Sequence, residues 1–281
     1  MRIHLYTLCH NEEKMLGFFF RHYLPWVERF VIYDDGSDDN SNEIISSQPN
    51  AELRHYTRTH PDSFVLSQLH FLNNCWKESR GKADWVIVTD IDEHLYHPDI
   101  ENYLLSCKAK RITVIPALGY QMITSEFPGP DEHLSITRTN GAPFTTLNKL
   151  SIFNPDAVKE ANFTEGRHGA RPVGRIKIPR EDEMLLLHYK YLGFKFLLEK
   201  HSCRRERRTE TDRLKGFGRH YYWDEDKLRE KWKSFESALV DITSPEAAKN
   251  HRGPRWWREQ RLLRRLRNRL SGLFTRTDAK S

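Results

Sequence analysis

Short apolar runs alternate with helical patterns through the first third of the chain, and no other feature restricts the fold as much. RIHLYTL (2–8), RFVIYDD (29–35), AELRHY (51–56) and WVIVT (85–89) read as strands. Between the first two, Met15, Phe18, Phe19, His22 and Tyr23 fall at helical spacing, with Asn11 as the candidate N-cap. NSNEIISS reads as a short helix and residues 63–77 as a longer one. Strand, helix and strand in repetition predict an α/β fold: a mostly parallel central sheet with crossover helices. Ligands of such sheets bind where the carboxyl ends of the strands open into loops.

Two acidic clusters, Asp34-Asp35 and Asp90-Ile91-Asp92, fall at such ends, which predicts that both face one crevice. Two carboxylates one residue apart in a turn suit a hard divalent cation. Asp35 followed by Gly36 and Ser37 suits ribose hydroxyls or a base, since glycine lets a ligand approach the backbone. Either cluster is also compatible with a solvated acidic turn. An EF-hand loop is disfavoured, because its glycine belongs at the sixth position and Gly36 comes two residues after Asp34.

Beyond Pro98, RITVIPALGYQMI, TTLNKLSIFNP, VGRIKI and EMLLLHYKYLG read as further strands. His188 ends an apolar strand, placed either to ligate a metal or to bond backbone. His168 lies in a Gly-rich loop with Arg167 and Arg171, suited to a diphosphate or an anionic acceptor, or simply solvated. Lys149 alternates with apolar neighbours, facing a phosphate or solvent. From residue 194 the chain turns helical and basic, which divides it into an α/β domain, 1–193, and a helical extension, 194–281.

Charge is concentrated at the end. Residues 251–281 hold ten Lys and Arg against two acidic residues, and the net charge of +6 leaves residues 1–250 at −2. A nucleic-acid-binding core is therefore not expected, since it needs basic residues across its folded face. Leu263, Leu266, Leu270 and Leu273 form one apolar stripe among arginines, which predicts an amphipathic helix that meets an anionic membrane or packs on protein. Four cysteines without paired spacing, no secretory leader and no apolar run of about 20 residues predict a reduced, cytoplasmic protein.

The order of TLCHNEE, VIYDDGSDD and WVIVTDIDEHL resembles the family 2 glycosyltransferases, in particular the bacterial surface-polysaccharide branch. The resemblance implies a GT-A fold, a nucleotide-sugar donor such as a UDP-sugar, Mn2+ or Mg2+, and a saccharide or lipid-linked acceptor. It implies donor contacts from Thr7, His10, Asn11 and Glu12 after the first strand, from Asp34 and Asp35, and from Asp90 and His168. It also implies a metal held by Asp90, Asp92 and His188, with Glu93 behind them orienting a ligand or a loop amide. Glu126, Asp131 and Glu132 are candidate bases in the loop that closes over the acceptor in that family, although the family's Glu-Asp pair is absent. Asp-x-Asp also marks phosphohydrolases that form an aspartyl-phosphate, and a basic tail also suits a non-enzymatic membrane or polyanion adaptor.

Overall fold

A computed structural model describes residues 1–259. The expected alternation is present as β1 (Ile3–Cys9), α1 (Glu13–Tyr23), β2 (Arg29–Asp34), α2 (Ser41–Ser46), β3 (Ala51–His55), α3 (Phe64–Asn74) and β4 (Trp85–Val88). These four strands lie in the order β3-β2-β1-β4, all parallel. β1 and β4 bury nearly every side chain, as strands covered on both faces do.

The chain continues through β5 (Glu93–Tyr96), α4 (Ile100–Ala109), β6 (Val114–Thr124), α5 (Leu134–Thr137), β7 (Asn140–Pro143), β8 (Lys149–Phe153), β9 (Val158–Glu160), β10 (Val173–Gly174) and β11 (Leu185–Leu192). Here the sheet becomes mixed. β8 runs antiparallel between β4 and β6, and β6 pairs with β7 antiparallel and with β11 parallel. β6 is buried along its whole length, and at Gly119 a side chain has no room, since a Cβ there would lie 2.2 Å from that of Leu147. β11 also pairs with β5, setting His188 opposite Glu93 on one side and Gln121 on the other. That pairing carries His188 to the acidic turn.

Helices α6 (Phe194–Glu206), α7 (Glu210–Leu214) and α8 (Glu225–Glu236), the short β12 (Val240–Asp241) and α9 (Ala247–Asn250) follow. They belong with the sheet in one compact unit, Met1–His251, so the boundary expected after residue 193 falls inside it. Asp212 of α7 accepts from the Ser63 hydroxyl and the Phe64 amide, which fixes α7 to the start of α3. Together these features define an α/β fold built on a central sheet whose first four strands are parallel.

Asn11 does not cap α1. It adopts φ 52° and pairs reciprocally with Asp38, while Asp39 takes the Glu13 amide in its place. The loops after β1 and β2 are clasped together as a result. All four cysteines are free. Among the described residues no helix is long and apolar enough to cross a membrane. The leucine stripe at 263–273 and the arginines from 261 onward lie outside the described residues.

Candidate active site

The carboxyl ends of β1, β2 and β4 open towards α6, and each acidic residue there meets a specific partner. Asp34 is spent on its own turn, accepting from the amides of Gly36 and Ser37 at 3.1 Å and from the Ser37 hydroxyl. Asp35 is gripped by the Arg58 fork at 3.1 and 2.9 Å and by Arg207. Burial alone would raise its carboxyl, but the two guanidiniums hold it below the usual range. His10 donates from Nδ1 to the Asp35 carbonyl, and Glu12 is buried against Lys200. Thr7 is buried, and its hydroxyl donates to the Leu8 carbonyl.

At the second acidic turn, Asp92 is 1 % exposed; its Oδ2 accepts from Arg204 Nη2 at 2.9 Å and lies 3.6 Å from His188 Nε2. Desolvation opposes its charge, yet Arg204 and His188 hold the carboxyl well below its usual range. Glu93 is fully buried between Lys149, at 2.5 Å, and Arg167, and the same cations keep it ionised despite burial. Its Oε2 also lies 3.4 Å from the Asp90 amide, the loop-orienting place expected for it.

Two basic residues differ from expectation. Lys149 does not face solvent; it is the buried counter-ion of Glu93 and lines the cavity described below. Arg167 is likewise buried, at φ 58°, kept in that left-handed conformation by bonds to Glu93, the Val88 carbonyl and Ser151. His168 donates from Nδ1 to the Thr146 carbonyl and reaches the cavity, whereas Arg171 is exposed.

A cavity of about 650 Å³ collects this chemistry. His10, Glu12, Asp90, His168 and His188 line it; Asp35 and Asp92 lie just behind, joined to it through Arg207 and Arg204. Thr7, Asn11 and Asp34 do not line it. Glu126, Asp131 and Glu132 are also away from it. Glu132 is locked by Arg138 at 2.7 and 2.8 Å, by Thr137 and by the Gly129 amide, which lower its carboxyl to about 2. A carboxylate so fully used is a poor proton acceptor.

The facing wall was not foreseen. Lys200, His201 and Arg204 on α6, and Arg207 and Arg208 just after it, recur at spacings of one, three, three and one and line the cavity with Lys190 and Tyr221. Burial would raise the Tyr221 phenol, but Arg204, Lys190 and Arg208 bring it down to about 7. Burial and Lys190 push His201 down to about 2, so its ring is neutral.

As a metal centre the set Asp90, Asp92 and His188 is incomplete. Among the described residues no three His, Cys, Asp or Glu side chains converge, and Asp90 leans towards Arg167, 3.8 Å away. Asp92 and His188 nevertheless fit a hard cation. Asp92 Oδ1 is buried without a partner, and the bond from His188 Nδ1 to Gln121 Oε1, at 2.8 Å, directs the other ring nitrogen, Nε2, at Asp92. Two protein ligands with water and substrate oxygens are an ordinary set for Mg2+.

An acidic turn and a basic helix thus face each other across the carboxyl ends of the parallel strands. Residues 8–243 match Glycosyltransferase family 92, and the chain belongs to that family. The matching family is thus 92, where the three motifs resemble family 2. A family 92 protein of Oryza sativa subsp. japonica is 24% identical over 269 residues, covering 89% of this chain and 45% of that protein. Another, of Ricinus communis, is 23% identical over 217 residues, covering 69% and 36%. The chain therefore spans less than half the length of these curated relatives. Among solved structures, S. aureus TarS aligns with a TM-score of 0.38 and 12% identity over 72% of this chain and 39% of that one. Glucosyl-3-phosphoglycerate synthase of Mycobacterium tuberculosis, in complex with Mn2+, UDP and glucosyl-3-phosphoglycerate, aligns with a TM-score of 0.30 and 17% identity over 42% and 44%.

Proposed function

We propose that this chain transfers a sugar from a nucleoside-diphosphate sugar to a saccharide or lipid-linked acceptor, in the assembly of a polysaccharide. The observation that carries the proposal is the cavity itself, in which Asp90 and the Asp92–His188 pair face the cations of α6 at the ends of parallel strands. Membership of family 92 favours this reading over a phosphohydrolase or an adaptor. The donor's sugar-nucleoside end would lie towards His10 and the loops after β1 and β2, and its diphosphate between the acidic turn and α6. Asp92 and His188 would hold Mn2+ or Mg2+, and such an ion neutralises charge on the phosphate oxygens as the nucleotide leaves. Arg204 and Lys200, while they hold Asp92 and Glu12, would add positive potential to the phosphates from the opposite side.

A cytoplasmic location, with residues 252–281 resting on an anionic membrane near a lipid-linked acceptor, completes the proposal. Its support is the charge of that segment.

A thermal-shift screen of nucleoside-diphosphate sugars with Mn2+ tests the donor class, UDP-sugars first, because a ligand that binds only the native state raises the melting temperature. A rise with one nucleotide sugar and none with its free sugar is expected. No rise with any of them overturns the proposal.

A further inference from the structure

Around Tyr221 the cavity wall holds polar groups that the protein itself leaves unused. Lys190 on β11 is 5 % exposed and lines the cavity; among the described residues its ammonium meets no carboxylate, only the face of the Tyr221 ring, 4.6 Å from the centroid. His201 on α6 is equally buried, with both ring nitrogens unpartnered. Arg208 leaves Nη1 buried without a partner, and its guanidinium lies 5.2 Å from the same tyrosine ring. Arg204 donates from Nη1 to the Tyr221 hydroxyl at 3.0 Å while its other nitrogen holds Asp92.

Unsatisfied buried donors are costly and are retained where something arrives to use them. Lys200, Arg204 and Arg207 already have carboxylates in Glu12, Asp92 and Asp35. Lys190 and Arg208 have none, and the Tyr221 phenol between them supplies at most one of the two negative charges they call for. A neutral hydroxyl of a sugar cannot supply the rest, whereas a phosphoryl group can, with enough oxygens for an ammonium, a guanidinium and an imidazole N–H together.

We infer that Lys190, His201 and Arg208, arranged around Tyr221, form a phosphoryl-binding subsite that receives the nucleotide sugar's diphosphate on the side away from Asp90. This rests on the donor class proposed above, and it adds the residues that discriminate a diphosphate from a sugar or a nucleoside.

Calorimetric titration of the full chain in the presence of Mn2+, with UDP and separately with inorganic pyrophosphate, tests the inference on Lys190→Met and Arg208→Gln. Each substitution is expected to weaken both ligands about tenfold or more, the scale of a charge-assisted hydrogen bond. Arg208 is half-buried, so its variant decides the matter if Lys190→Met does not fold. Variants that bind both ligands as tightly as the wild type overturn the subsite and leave the donor proposal standing. Pyrophosphate binding that the variants lose, in a protein that ignores UDP, supports the subsite and overturns the nucleotide donor.

Discussion

Arg204 Nη2 lies 2.9 Å from Asp92 Oδ2. One guanidinium therefore ties the basic helix to the acidic turn, and through its other nitrogen it reaches Tyr221 at 3.0 Å. Removing either partner strands a buried charge. Arg204→Met should lower stability by about 3 kcal/mol, the ordinary cost of breaking a buried pair. Urea melts of Arg204→Met, Asp92→Asn and the double variant measure this, and the double variant should be less destabilised than the sum of the two. Full additivity would show that the pair is not coupled.

Asp90→Asn tests whether this partly exposed carboxylate, whose ion pair with Arg167 is long at 3.8 Å, joins Asp92 and His188 at the metal. Its transfer rate, and that of Asp92→Asn, should fall at least about a hundredfold, in keeping with the several kcal/mol a metal contributes to a charged leaving group. The expected companion result is loss of activity in EDTA, restored by Mn2+. Native turnover in both variants, or full activity in EDTA, would reject the ligand assignment.

Tyr221 should announce itself spectroscopically. Its phenol is brought down to about 7, whereas Tyr6, Tyr23, Tyr103 and Tyr189 are pushed up by burial. An ultraviolet difference titration should therefore show one tyrosinate forming near neutral pH, absent in Tyr221→Phe. A curve that is the same for both proteins would refute the electrostatic account of the cavity wall.

Acid should destabilise the fold through a buried histidine pair. His22 and His94 stack at 4.5 Å; His22 donates from Nε2 to the Leu95 carbonyl, and neither nitrogen of His94 has a partner. Burial pushes His22 down to about 4 and His94 well below the usual range. The unfolded chain thus takes up protons first as pH drops below about 6.5, and stability is lost progressively towards pH 4. His22 alone should account for about 2 kcal/mol between pH 7 and 5. His22→Gln should shrink the measured loss by that amount, and an undiminished loss would place the proton uptake elsewhere.

Truncation after His251 follows the boundary of the compact unit. The shortened protein should keep its nucleotide-dependent thermal shift and lose co-sedimentation with anionic vesicles, which in the full chain should weaken with salt. A full chain indifferent to such vesicles at low salt would remove the membrane proposal.

The amino-acid sequence alone determined the alternation of strand and helix and the placing of Asp34, Asp35, Asp90 and Asp92 at strand ends. Both are local properties: an apolar run of four to six residues defines a strand, and the polar residues that follow leave it at the carboxyl edge. His188 was legible for the same reason, as an imidazole within the long apolar run EMLLLHYKYLG. Which charge meets which was decided only by the tertiary structure. Glu93 takes Lys149 from 56 positions away and Arg167 from 74, and Asp92 takes Arg204 from 112. The basic stretch from Lys200 to Arg208 has the composition of a solvated helix, because the face it turns inward is charged rather than apolar and so leaves no hydrophobic periodicity. Conversely Glu132, which sequence offers as a base, is consumed by Arg138. A buried charge must be matched by another, and that requirement is met across the fold, by segments that no local pattern connects.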